Sequence, residues 1–279
     1  MFEKILISID FSEESRLLLN CLDEFRSFGL KKVILSHIVD IRAAGGNASA
    51  FVESNEKKLE EIKEEIEKEG IDSQIIVNIG FPAEEIDKIA RDENASLILI
   101  GSHGRGFIKS FFLGSTAFDL LRITDTPLLI ERFKKDEGGL RPYCSLKFPK
   151  VLAAIDFSEC SSKLVETIGK NKNSFKELFL VHVIERAFSK KEFDKAKENA
   201  EAILEEIKAS LSGIEVYTQV KAGDAAKSII ESARDEEASL IMLSKKGRGG
   251  AKDLFLGSTA RDVALRSTKN AVLVVPCGI

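Results

Sequence analysis

The sequence predicts an α/β protein made of two similar domains, each an open parallel sheet with helices on both faces. Three observations carry this. The run Ala90-Arg91-Asp92-Glu93-Asn94-Ala95-Ser96-Leu97-Ile98 returns 143 positions later as Ala233-Arg234-Asp235-Glu236-Glu237-Ala238-Ser239-Leu240-Ile241, and Leu113-Gly114-Ser115-Thr116-Ala117 returns at the same offset as Leu256-Gly257-Ser258-Thr259-Ala260. The openings Asp10-Phe11-Ser12-Glu13 and Asp156-Phe157-Ser158-Glu159 repeat 146 positions apart. A period this long marks two domains and not a solenoid, whose units run roughly 20 to 50 residues. Within each half, short apolar runs alternate with longer amphipathic ones, as expected of parallel strands joined by right-handed helical crossovers.

In the first half, Ile5 to Ile9 forms the first strand and Ser12 is placed to cap the helix that follows. That helix carries Leu18, Cys21, Leu22 and Phe25 on one face, and Gly29 stops it. Val33 to Val39 is the second strand. A Gly45-Gly46-Asn47 loop leads to a helix with Leu59, Ile62 and Ile66 turned one way. Ile75 to Ile79 is the third strand, and Gly80-Phe81-Pro82 turns into a short helix around Ile86, Ile89 and Ala90. Leu97 to Ile100 is the fourth strand, a helix starts at about Thr116, and Leu128 to Ile130 closes the set.

The second half follows the same order. Its strands are Val151 to Ile155, Leu178 to Ile184, Val216 to Val220, Leu240 to Leu243 and Val272 to Val275. Its helices span Lys163 to Gly169, Phe193 to Leu211, Ala225 to Glu236 and Thr259 to Arg266. The charged stretch from Glu131 to Lys150, with Gly138-Gly139, Pro142 and Pro149, is the natural linker. It divides the chain into domains at 1–133 and 150–279 around a linker at 134–149.

With 279 residues, each domain is large enough for its own core. A net charge of -4 gives no long-range attraction to nucleic acid or to an anionic membrane. No apolar run approaches the roughly 20 residues that cross a bilayer. The start runs straight into a strand and lacks a signal-peptide layout, so a cytoplasmic protein is expected. Cys21, Cys144, Cys160 and Cys277 do not occupy matching positions in the repeat and contain no close metal-binding pair. Four isolated thiols in a reducing compartment are expected.

In an open parallel sheet, ligands sit beyond the carboxyl ends of the strands, where strand order reverses. After the first strands come Asp10 and Asp156. After the fourth come Gly101-Ser102-His103-Gly104-Arg105-Gly106 and Ser244-Lys245-Lys246-Gly247-Arg248-Gly249-Gly250, each leading to Gly-Ser-Thr-Ala at a helix start. Glycines bring backbone N–H groups close to an anion, and a helix N-terminus favours negative charge. Singly, these glycines also serve tight turns, and Ser115-Thr116 and Ser258-Thr259 also serve as helix caps. Together, after the same strand in both halves, they point to phosphate binding. A P-loop is not supported, because Ile108 stands where its second glycine belongs and the loop follows the wrong strand. A dinucleotide fingerprint is absent from the first strand–helix turn.

The spacing Gly101, Gly104, Gly114-Ser115, with Asp10-Phe11-Ser12-Glu13, His37-Ile38-Val39-Asp40 and Pro127-Leu128-Leu129-Ile130, resembles the universal stress protein family in its tandem form. The second half matches through Asp156-Phe157-Ser158-Glu159, His182-Val183-Ile184-Glu185 and Gly247 to Gly257-Ser258, with Ser244 in place of the first glycine. The resemblance implies five-stranded parallel sheets of order 3-2-1-4-5 and an adenine nucleotide, ATP or AMP, in each competent site, with Mg2+ admissible beside ATP. It puts Asp10 and Ile38, and likewise Asp156 and Val183, at the base and ribose end. Gly101, Gly104, Gly114, Ser115 and Thr116 then take ribose and phosphates, as do Ser244, Gly247, Gly257, Ser258 and Thr259. Serine is small enough to admit a ribose, although a left-handed backbone at position 244 would resist it, and both sites are expected to bind. An intrachain pseudo-dimer using the terminal strands as edges, and a homodimer, are further expectations.

Several residues carry more than one reading. His37 and His182 read as packing or hydrogen-bonding groups rather than acid–base catalysts. His103 has Lys246 as its counterpart, which argues against catalysis there. Arg105 and Arg248 reach a phosphate or remain solvated loop arginines. Phe107, Ile108, Phe111 and Phe112 form an apolar loop read as inward packing. The function expected is a non-enzymatic adenine-nucleotide sensor of the stress response acting through a protein partner. One alternative is a slow divalent-metal-dependent ATPase using Asp10, for which a lone carboxylate is thin support. The other is a chaperone-like scaffold with incidental nucleotide.

Overall fold

The structure, a computed structural model, describes residues 2–44, 49–102, 113–144, 146–186, 189–247 and 256–278. The chain divides into unit 1, Met1–Pro142, and unit 2, Tyr143–Ile279. In unit 1 the sheet consists of β1 (Lys4–Ser8), β2 (Lys32–Asp40), β3 (Asp72–Gly80), β4 (Leu97–Gly101) and β5 (Leu128–Glu131). Every pairing in it is parallel, in the order β3-β2-β1-β4-β5. The helices of unit 1 are α1 (Glu13–Leu17), α2 (Leu22–Arg26), α3 (Ile41–Ala44), α4 (Ala50–Lys68), α5 (Pro82–Asp92) and α6 (Ser115–Ile123). Strand order reverses between β1 and β4. Right-handed crossovers therefore send α1, α2 and α4 to one face and α5 and α6 to the other.

The apolar runs become the strands that are covered on both sides. Ile5, Leu6 and Ile7 are fully buried, and every residue of β4 and β5 is buried. Each buried Leu or Ile side chain among them contributes about 2 kcal/mol of hydrophobic stabilisation. The edge strand β3 is only half-buried and begins three residues before the apolar run that marked it, with Asp72, Ser73 and Gln74 paired to β2. The helix after β1 is interrupted by a tighter turn at Leu18–Cys21. Three residues per turn bring Leu18 and Cys21 into line, and both are buried.

Part of the expected linker is ordered. β6 (Phe133–Asp136) and β7 (Gly139–Pro142) form an antiparallel hairpin within unit 1. Asp136 Oδ1 accepts from Gly138 N at 3.0 Å, and Oδ2 accepts from Arg141 Nε at 3.0 Å. Gly139 has φ +98°, which closes the turn at low cost. Just before the hairpin, Glu131 is fully buried; its carboxylate accepts from Arg132 N at 2.9 Å and from the Cys21 thiol at 3.6 Å. Burial lowers the Arg132 guanidinium to about 10, partly opposed by the Glu131 charge.

Unit 2 repeats the plan with β8 (Lys150–Ala154), α7 (Glu159–Lys170), β9 (Glu177–Ile184), α8 (Lys190–Ser210), β10 (Glu215–Ala222), α9 (Ala225–Asp235), β11 (Leu240–Ser244), α10 (Ser258–Arg266) and β12 (Ala271–Val275). Its order is β10-β9-β8-β11-β12, again all parallel. The architecture expected from the sequence is thus found in both halves. One expectation fails in unit 2: Cys160 and Cys277 are not isolated thiols but a disulfide, with Cα atoms 4.7 Å apart and 117 positions between them. Their separation in sequence hid the pair, since the fold alone brings the start of α7 beside the end of β12. Cys21 and Cys144 take no part in a disulfide. Among the described residues, no helix is long and apolar enough to cross a membrane.

Candidate functional site

The described positions among those singled out for chemistry gather at the carboxyl ends of β8, β9 and β11 in unit 2, and of β1, β2 and β4 in unit 1. Each turn after the first strand is built identically. Asp10 Oδ1 accepts from Ser12 N at 3.0 Å and Ser12 Oγ at 2.5 Å; Asp156 Oδ1 accepts from Ser158 N at 3.0 Å and Ser158 Oγ at 2.6 Å. The same serines cap the following helix, each Oγ accepting at 3.2 Å from the backbone N–H of Ser15 or Ser161. One serine therefore fixes both a carboxylate and a helix start.

The intervening phenylalanines hold a backbone conformation that bulky residues resist: φ is 60° at Phe11 and 59° at Phe157. What steadies them is a histidine. The Phe11 and His37 rings lie 4.5 Å apart and the Phe157 and His182 rings 4.2 Å apart. His37 Nδ1 donates to Ile9 O and His182 Nδ1 to Ile155 O, both at 2.7 Å. A carbonyl only accepts, so Nδ1 carries a proton in both rings. In unit 1, Lys58 Nζ also stands 5.2 Å from the centre of the Phe11 ring. The hydrogen-bonding and packing role expected of both histidines is what these contacts describe. The sequence reading overlooked their phenylalanine partners, although the repeated Asp-Phe-Ser-Glu held the signal.

The stems of the glycine loop are fastened alike in both units. Ser102 N donates to Glu131 O at 2.9 Å, and Gly114 N to Ser102 O at 2.7 Å. Lys245 N donates to Val275 O and Gly257 N to Lys245 O, both at 2.8 Å. Gly101 ends β4 and Ser244 ends β11, both in strand conformation, so the serine meets no left-handed backbone. Its hydroxyl donates to Lys246 O at 2.9 Å. The glycines matter through closeness: a Cβ at Gly247 would fall 2.5 Å from Asp156 Oδ2, and one at Gly257 would fall 3.2 Å from Lys245 O. Gly104, Arg105 and Arg248, with His103 and the Phe107 to Phe112 stretch, lie outside the described residues.

Gly114 and Gly257 are the N-caps of α6 and α10, and neither has a side chain to satisfy the first N–H groups. Ser115 and Ser258 are the first helical residues rather than caps. Both are exposed, with Thr116 and Thr259 half-buried behind them. Ile38 in β2 and Val183 in β9 are half-buried at the strand ends.

In unit 2 these parts surround a cavity of about 770 Å³. Asp156, His182 and Val183 line it together with Ser244, Gly247, Gly257, Ser258 and Thr259. Ile229 of α9 and Ala200 and Ile203 of α8 supply an apolar wall that sequence reasoning did not assign. The result is a cleft with an apolar wall, in which the Asp156 carboxylate lies close to Gly247 and to the start of α10, a helix with no side-chain cap among the described residues. Such a cleft accepts a flat apolar group and an anion together.

Two consecutive doubly wound α/β units, each with its ligand-accepting edge at the reversal of strand order, define the class of this protein. The model of the Universal stress protein family matches residues 1–132 and again 147–276, so the chain belongs to the universal stress protein family, with two copies in tandem. It is 32% identical over 157 residues to Universal stress protein MJ0577 of Methanocaldococcus jannaschii, covering 48% of this chain and 97% of that one. Universal stress protein YxiE of Bacillus subtilis is 26% identical over 148 residues, or 47% of this chain and 100% of its own. Among solved structures, a universal stress protein from Archaeoglobus fulgidus aligns over 98% of this chain and 96% of its own, with 28% identity and a TM-score of 0.75.

Proposed function

We propose that each unit binds an adenine nucleotide, AMP or ATP, and that the protein is a non-enzymatic sensor in the stress response of the cytoplasm. Occupancy would alter its contacts with a protein partner or with a second copy of the chain. The observation that carries this reading is the unit 2 cleft, where Asp156 faces Gly247 and the uncapped start of α10. A carboxylate suits the hydroxyls of a ribose, and uncapped N–H groups suit phosphate. The apolar wall from α8 and α9 suits a base. The cleft volume falls within the usual range for small-molecule sites, roughly 300 to 1,000 Å³.

In this reading Asp10 and Ile38, or Asp156 and Val183, take the base and ribose. Gly101 or Ser244, Gly114-Ser115-Thr116 and Gly257-Ser258-Thr259 take the ribose and phosphates, with Gly104, Arg105, Gly247 and Arg248 in the loop between. A Mg2+ ion would travel with ATP on its phosphates. Calorimetric titration of the full chain with AMP, ADP and ATP tests the reading. Binding that weakens when Gly114-Ser115 or Gly257-Ser258 is replaced is expected. Absence of binding by all three, with the fold intact by circular dichroism, overturns it.

A further inference from the structure

Cys160 is the second residue of α7, two positions after the Ser158 cap and four after Asp156. Cys277 lies two positions beyond the end of β12. Each flank of the disulfide runs directly into the cleft. On the α7 side, Ser158 Oγ accepts from Ser161 N at 3.2 Å and donates to Asp156 Oδ1 at 2.6 Å. On the β12 side, Val275 O accepts from Lys245 N at 2.8 Å, and Lys245 O accepts from Gly257 N at 2.8 Å. The bond therefore clamps the turn that aims the carboxylate to the strand that anchors the first stem of the glycine loop, to which the second stem is tied in turn. Lys163, one helical turn after Glu159, adds a second tie by donating from Nζ to Cys277 O at 2.7 Å.

Unit 1 has no such clamp. The registers β4–β5 and β11–β12 align Glu131 with Val275, which puts Phe133 where Cys277 stands; the repeated Asp-Phe-Ser-Glu puts Glu14 where Cys160 stands. Both cysteines are only half-buried, within reach of small thiols. We propose that the Cys160–Cys277 pair is a redox modification site that sets the nucleotide affinity of unit 2, tight when oxidised and weak when reduced, with unit 1 indifferent. The proposal rests on the reading of unit 2 as a nucleotide site.

The chemistry is ordinary thiol–disulfide exchange. A thiolate of a small dithiol attacks one sulfur and the Sγ–Sγ bond breaks. The mixed disulfide is resolved by the reagent's second thiol, leaving two protein thiols and one oxidised, cyclic reagent. The protein gains two electrons and two protons, and the reagent loses them. In reverse, a small disulfide takes up the two electrons and two protons and departs as two thiols. The oxidised clamp preorganises the walls of the cleft. Releasing it lets the first turn of α7 and the tail of β12 move apart, so binding must then restore their alignment. Linkage is reciprocal, so a nucleotide that prefers the oxidised protein resists its reduction by the same factor.

The test uses the full chain with Asp10→Ala and Gly114→Val to silence unit 1, titrated with ATP and with AMP before and after reduction by a phosphine. Intact mass reports the gain of two hydrogens. Dissociation constants about tenfold larger after reduction are expected. Cys160→Ser/Cys277→Ser should bind as the reduced form does and ignore reductant. Saturating nucleotide should shift the dithiol–disulfide equilibrium about tenfold toward the oxidised form, a readout that needs no variant and survives if the double serine variant misfolds. Equal affinity in both redox states overturns the proposal while leaving the site intact. So does failure of the pair to oxidise with a small disulfide. Loss of binding in both states, and in the unsilenced chain, overturns the nucleotide reading itself.

Discussion

Units 1 and 2 solve the same construction problems with different residues, and the places where they agree mark the chemistry. Both keep the Asp–Phe–Ser turn, the positive φ of the phenylalanine, the histidine behind it, and a glycine capping the helix after the loop. Elsewhere they part. Helix α5 starts with Pro82 at its first position and no side-chain cap, whereas Asp224 caps α9 by accepting from Lys227 N at 2.7 Å. The fourth strand ends on Gly101 in one unit and Ser244 in the other. A hairpin follows β5 in unit 1, and a disulfide follows β12 in unit 2. Helix starts and strand ends admit substitutes, while the strained turn does not vary. Strain kept twice at the same spot fits a ligand site better than a folding requirement.

The largest expected effect breaks the comparison at the disulfide. Replacing Cys160 and Cys277 with serine should destabilise unit 2 by about 4 kcal/mol, since the cross-link closes a long loop in the unfolded chain. Hydrogen exchange should speed up in α7 and β12, with unit 1 amides unchanged. Next, Gly247→Val brings side-chain atoms against Asp156 Oδ2. Titration should show nucleotide affinity in unit 2 falling about a hundredfold, about 2.7 kcal/mol, with unit 1 unaffected.

Smaller effects sharpen the pairing of the halves. Asn94 and Glu237 occupy one left-handed position after α5 and α9, at φ 51° and 53°. Asparagine adopts it more cheaply than glutamate, so Glu237→Asn should stabilise unit 2 by about 1 kcal/mol in denaturant unfolding. The reverse change, Asn94→Glu, should cost unit 1 a similar amount. Smallest is the unit 1 hairpin, where hydrogen bonding to Arg141 holds the Asp136 carboxyl below its ordinary value. Its contribution is complete above the unfolded carboxylate range, near pH 4, and is lost as pH falls through the lower folded value. Hairpin amide exchange should therefore quicken only on strong acidification, and salt should weaken the effect.

Much of this architecture was legible in the sequence because core strands must be apolar on both faces. Ile5 to Ile7 and Leu97 to Ile100 could scarcely be anything else. Ser12 was legible as a cap, and Ser158 holds the matching place in the repeat. The edge strand β3 was readable only in its apolar part, because Asp72 to Gln74 pair through backbone alone. The hairpin at Phe133–Pro142 was hidden by its charges, which resemble those of a linker. The disulfide was invisible because its partners meet only through the fold. The aromatic–imidazole pairs escaped for the same reason, as did the contribution of α8 to the cleft wall. Ser244 raised the question of a left-handed backbone, and its backbone is plain strand.

The proposed function puts an adenine nucleotide in both units. Native mass spectrometry of the oxidised full chain, saturated with ATP or AMP, tests it most directly. Two nucleotides per chain are expected, falling to one in Gly247→Val; a folded chain that retains none contradicts the account.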